Sequence, residues 1–187
     1  AIGKDALYSN TIAYGNTATG ESTLYNNTTG YQNTANGTQV LYQNTTGNAN
    51  TAIGYRTLNF NTTGSSNTAT GNYALYYNTT GGYNTALGNE ALYNNNIGSW
   101  NTCIGDRSDV STNNLNGASS LGTQAITNAS NKIVLGANVG GMVIGGYANW
   151  SNLSDGRFKN NVKENIPGLS FITQLRPVTY TVDLMKL

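Results

Sequence analysis

The chain reads as an all-β protein, a parallel β-solenoid or β-roll of 17-residue repeats, and three observations predict that class. The triplet Asn-Thr-Ala begins at Asn16, Asn33, Asn50, Asn67 and Asn84, and Asn-Thr-Cys at Asn101, each step being 17 residues. The same period carries Gly3, Gly20, Gly37, Gly54, Gly71, Gly88, Gly105 and Gly122, and also Leu7, Leu24, Leu41, Leu58, Leu75 and Leu92. Only 9% of the residues are charged, against roughly a quarter in an ordinary globular domain. A fixed period of this length marks coils that stack on their own copies.

Residues 1–105 form the regular section. One unit holds a Leu, an Ala and a semi-apolar position (Ile2, Thr19, Asn36, Ile53, Thr70, Leu87, Ile104), too little to bury a core alone. Stacked at the β spacing of about 4.8 Å, identical residues form ladders, and backbone groups pair with the coil above and below. Helix is disfavoured, because Asn, Thr and Gly are poor helix formers and the apolar positions lack a 3.6 period. Each unit is expected to form two short strands, one around Asn-Thr-Ala-x-Gly and one around Ala-Leu-Tyr. Turns are expected at the Gly of the NTTG string and at the Gly column, where φ > 0 is needed. The Asn column (Asn10, Asn27, Asn44, Asn61, Asn78, Asn95) and the Thr column (Thr28, Thr45, Thr62, Thr79) can hydrogen-bond along such ladders. So thin an apolar side predicts several chains sharing a core, and a homotrimer is the expected partner state.

Residues 106–150 relax the pattern and turn more apolar, as in NKIVLG and GMVIGG, which predicts degenerate terminating repeats. Residues 151–187 change character, since positions 155–187 hold 8 of the 17 charged residues. There Phe158, Val162 and Ile166 fall on one helical face, Leu169, Ile172 and Leu175 suggest another helical turn, and Val178, Tyr180 and Val182 alternate as in a strand. A short mixed α/β segment that closes a trimer is the expectation.

Several chemistries are disfavoured at this level. A net charge of +1 offers no handle for nucleic acid, and no apolar run of about 18 residues predicts membrane insertion. The absence of His, with a single Cys, removes the usual metal sites and His-based triads within one chain, so neither metal nor cofactor is expected. Asp5, Glu21, Glu90 and Asp106 share no column that would pair carboxylates. No Lys-Ser or Lys-Thr follows the glycines as in a phosphate loop. Cys103 takes the Ala column and reads as a small buried side chain. The chain opens in mid-pattern at Ala1 and is expected to be a piece of something longer.

The strings NTAIGYRTL and NTALGNEAL resemble the head repeats of trimeric autotransporter adhesins and the shafts of phage and bacterial tail-fibre proteins, over residues 1 to about 105 and with a longer unit. The stretch SDGRFKNNVKENIPGLSFITQLRPVTYTVD is similar to the opening of the endosialidase-type intramolecular chaperone domain of tailspikes and tail fibres. The matching residues are Ser154-Asp155, Arg157, Lys159, Asn165-Ile166, Leu169, Ile172, Leu175, Pro177-Val178 and Tyr180. That resemblance implies a homotrimeric fibre shaft, extracellular, on a virion tail or a bacterial surface, supporting adhesion or host recognition. It also implies self-cleavage before Asp155 by a Ser154–Lys159 pair, the one enzymatic step expected of the chain. Only 33 residues follow Ser154, fewer than that family's helical body requires.

Two binding readings stand beside the shaft. Tyr8, Tyr25, Tyr42, Tyr76 and Tyr93 form a column whose faces could stack on a cell-surface glycan or receptor, or could simply cover the sheet. The Thr columns could order water as an ice-binding face, although Ile12 and Asn96 interrupt them. Asn-x-Thr sequons at Asn27, Asn44, Asn61 and Asn78 are accounted for by the ladder without sugar.

Overall fold

A computed structural model describes residues 1–136, and these form an all-β parallel solenoid without helix. Each regular coil contributes one three-residue strand on its Thr-Ala-x segment: β1 (Thr17–Thr19), β2 (Thr34–Asn36), β3 (Thr51–Ile53), β4 (Thr68–Thr70), β5 (Thr85–Leu87) and β6 (Thr102–Ile104). Two strands of the later coils continue the same sheet, β8 (Ser119–Leu121) and β10 (Ile133–Leu135). The eight pair in the order β1-β2-β3-β4-β5-β6-β8-β10, all parallel. Register follows the sequence period: Ala35 lies on Ala52 and Ala52 on Ala69, a step of 69 − 52 = 17. From β8 to β10 the step shortens, Ser119 pairing with Ile133, or 133 − 119 = 14.

The second strand expected around Ala-Leu-Tyr is absent from the regular coils. There the chain adopts left-handed backbone at two alternate residues, such as Gln39 (φ 55) and Leu41 (φ 50), or Tyr73 (φ 53) and Leu75 (φ 51). A β-strand cannot contain such residues, because a Cβ opposes φ > 0 at about 1–2 kcal/mol per residue. Hydrogen bonds between coils hold them: Gln39 N–H donates back to Glu21 O (2.9 Å), while Leu41 N–H donates forward to Thr57 O (3.0 Å). The alternation turns Leu41 inward and ties the segment to both neighbouring coils. A second strand forms only later, as β7 (Asp109–Val110) paired in parallel with β9 (Ile126–Thr127).

The glycine column is a steric requirement. A Cβ on Gly54 (φ 136) would stand 2.5 Å from Gly71 O of the next coil, so neighbouring backbones pass too closely for any side chain.

The interior differs from the expected one in two ways. The Ala and Leu columns are fully enclosed within a single chain, Leu24, Leu41, Leu58, Leu75 and Leu92 among them. The semi-apolar column, grouped with the core in the sequence, faces outward instead, as Ile53, Leu87 and Ile104 show. Period 2 along a three-residue strand dictates this: if Ala points in, its two neighbours point out. Two Asn columns fill the remaining inner side. In the first, Asn61 Nδ2 donates to Asn44 Oδ1 (2.7 Å) and to Gly64 O (2.9 Å), and Asn78 Nδ2 donates to Asn61 Oδ1 (2.8 Å). In the second, Asn67 N–H donates to Asn50 Oδ1 (3.0 Å) and Asn67 Nδ2 to Gly81 O (2.9 Å). Among the described residues no buried side-chain nitrogen or oxygen lacks a partner, which is what permits so polar a core.

Candidate functional site

Because coils repeat in register, outward side chains fall into columns, and these columns are the surface available for binding. The predicted tyrosine column is present in two segments. Tyr8 and Tyr25 stack at 4.9 Å and Tyr25 and Tyr42 at 5.2 Å between ring centroids; Tyr76 and Tyr93 stack at 5.5 Å. Asn59 breaks the column by turning inward, its Nδ2 donating to Gln39 O (2.8 Å). Phe60 then packs edge-on to Tyr76 at 5.0 Å. Within the column most ring faces are covered by the next ring, which is the sheet-covering role weighed from the sequence. Desolvation raises the Tyr25 phenol above its usual range, as do Tyr8 and Tyr42 beside it.

A second set of aromatic stacks lies on the other side of the NTTG turn and was not singled out in the sequence. Tyr14 stacks on Tyr31 at 5.3 Å, and Tyr83 on Trp100 at 5.8 Å. The signal was available, since 31 − 14 and 100 − 83 both equal 17. It was obscured because each stack spans only two coils.

The Thr column of the NTTG turn has its hydroxyls committed. Thr28 donates to Thr45 O (3.1 Å), Thr45 to Thr62 O (3.0 Å) and Thr62 to Thr79 O (3.0 Å), so they build the ladder rather than order water.

Where the regular repeat gives way, side chains converge on a cleft. Asp109 stands 17 residues after Leu92, in the Leu register, yet Val110 takes the core place (2% exposed) and Asp109 is turned against the preceding coil (7% exposed). Its carboxylate accepts from Val110 N–H (2.8 Å), from Asn94 N–H (3.2 Å) and from Asn94 Nδ2 (2.7 Å). Burial pushes its pKa up to about 6, although the hydrogen bonds from Val110 and Asn94 pull the other way. Around it a cleft of ≈ 350 Å³ is lined by Glu90, Tyr93, Arg107, Gln124 and Ile126. At the cleft Arg107 Nε meets Glu90 Oε2 at 3.1 Å. Burial pushes the Tyr93 phenol up to about 12, helped by Tyr77 and Tyr76, so it keeps its proton at neutral pH. The sequence carried a signal for Asp109, a charged residue in a column otherwise held by Leu.

Cys103 is fully enclosed in the Ala column, as expected, and burial together with Asp109 pushes its thiol up to about 12. Such a thiol is not a nucleophile at neutral pH. Among the described residues no group of three or more His, Cys, Asp or Glu could hold a metal ion, and no helix is long and apolar enough to cross a membrane. Ser154, Asp155 and Lys159, and the terminating and C-terminal stretches from residue 137 onward, lie outside the described residues.

Comparisons of the chain with protein-family models, characterised proteins and solved structures return no match.

Proposed function

We propose that the chain is the shaft of a fibre: a rigid spacer, homotrimeric and extracellular, that projects an adhesive or host-recognition element from a virion tail or a bacterial surface. The observation that carries this reading is the in-register parallel stacking of near-identical coils, each meeting the next through the same pairs, Thr on Thr and Ala on Ala. Such a coil adds length by copying and has no preferred end point. Low charge and dense hydrogen bonding between coils suit an exposed position, because they leave few flexible loops for proteases.

Association of three chains is supported by the outward column rather than by the Leu core. Ile53 (43% exposed), Leu87 (48%) and Ile104 (40%) stand on one sheet face with uncharged Thr51, Thr85 and Thr102 beside them. Burial of these side chains between chains would remove apolar surface from water along the length of the shaft. Light scattering on the full chain tests the reading. A molar mass three times that of the 19.8 kDa chain is expected, and a monodisperse monomer would overturn the trimeric shaft.

A further inference from the structure

We infer that the cleft around Asp109 is a binding site for a neutral saccharide, formed where the aromatic column stops. The regular coils place an aromatic ring at one register position, and Tyr76 and Tyr93 occupy two successive rungs 5.5 Å apart and 7° from parallel. The next rung falls at residue 110, where a valine turns into the core. The step that a ring would fill is therefore open, and the cleft lies there, lined by Tyr93 on one coil and by Arg107, Asp109, Gln124 and Ile126 on the two that follow. A pyranose ring has the thickness and the apolar C–H face to stack on Tyr93 as the missing rung.

The polar wall selects the class of ligand. Asp109 is held by Asn94 and by the Val110 N–H, so its orientation is set before any ligand arrives. A carboxylate oxygen with a remaining lone pair can accept from a sugar hydroxyl, and the Gln124 amide can donate or accept. Glu90 and Arg107 neutralise each other at 3.1 Å. Ionised Asp109 therefore leaves the cleft with an excess of negative charge, which opposes phosphate, sulfate or acidic sugars. A flat apolar platform beside a few fixed polar groups is the composition of a small-ligand site, and alternating donors and acceptors match vicinal hydroxyls. The site uses residues of one chain only, so it stands or falls separately from the trimeric shaft.

Saturation-transfer NMR on the full chain tests it. The probes are the methyl glycosides of glucose, galactose and N-acetylglucosamine with their β-linked trisaccharides, and tetramethylammonium serves as a cationic control. At least one saccharide is expected to bind, with affinity falling about tenfold or more in Asp109→Asn, as for loss of a charge-assisted hydrogen bond. Tyr93→Leu and Gln124→Ala, both altering surface side chains, are expected to weaken it as well. Tyr25→Leu, between Tyr8 and Tyr42 in the other segment, is expected to bind as the parent does. No binding of any saccharide, binding of tetramethylammonium alone, or equal loss in Tyr25→Leu would each overturn the assignment.

Discussion

Asp109 shows how one residue can depart from a repeat and create chemistry. In the column where six coils carry Leu, a carboxylate is 7% exposed and its pKa is raised to about 6 by burial. An unfolded Asp ionises near 3.9, so the folded chain holds this proton more tightly than the unfolded one. The stabilisation of the neutral form is complete below the unfolded value and is lost as pH rises through about 6. The charged groups lining the same cleft, Glu90 and Arg107, pair with each other. Asp109→Asn should therefore flatten the pH dependence of stability. Between about pH 4 and about pH 7 the parent is expected to lose on the order of 2 kcal/mol relative to the variant. Thermal melts of both proteins across that range check it, and parallel curves would refute the burial of an uncompensated carboxylate.

The Asn ladder is the element that makes a polar coil stable. Each inner amide meets a copy of itself 17 residues away and a glycine carbonyl three residues on, as Asn44 does with Asn27 Oδ1 (2.8 Å) and Gly47 O (3.0 Å). Asn61→Ala would strand Asn44 Oδ1 and one proton of Asn78 Nδ2 inside the coil. A cost of about 2–4 kcal/mol is expected, whereas Thr63→Ala, at an exposed position two residues on, should change stability by less than about 0.5 kcal/mol. Urea unfolding of the two variants measures the contrast. An Asn61→Ala protein as stable as the parent would mean that the ladder is incidental.

For the whole molecule, period and register are the same quantity. Excision of Asn67–Tyr83 removes one complete coil and joins Ser66 to Asn84, so every remaining column still lies on its own copies. The shortened chain is expected to fold and unfold as cooperatively as the parent, with a length smaller by about 4.8 Å. An excision one residue shorter, Thr68–Tyr83, shifts the register and directs inward residues outward, and a clear loss of stability is expected by circular dichroism melts. Equal stability of the two deletions would contradict stacking in register.

The repeat alone determined that the chain is a parallel β-solenoid, because a 17-residue identity between coils can be satisfied only by laying each coil on the last. It determined the glycine column and the burial of Leu, Ala and Cys103 for the same reason. What the tertiary structure decided was the facing of the other columns. Asn is a surface residue by its polarity, and it turns inward here only because the next coil supplies an amide and a glycine carbonyl at hydrogen-bonding distance. Leu41 adopts a left-handed backbone because inter-coil bonds hold it there, and local preference would have made it a strand. The Asp109 cleft likewise exists only in three dimensions, since its walls come from three successive coils. Local propensity concerns one coil, whereas these features are set by the partner that the next coil presents.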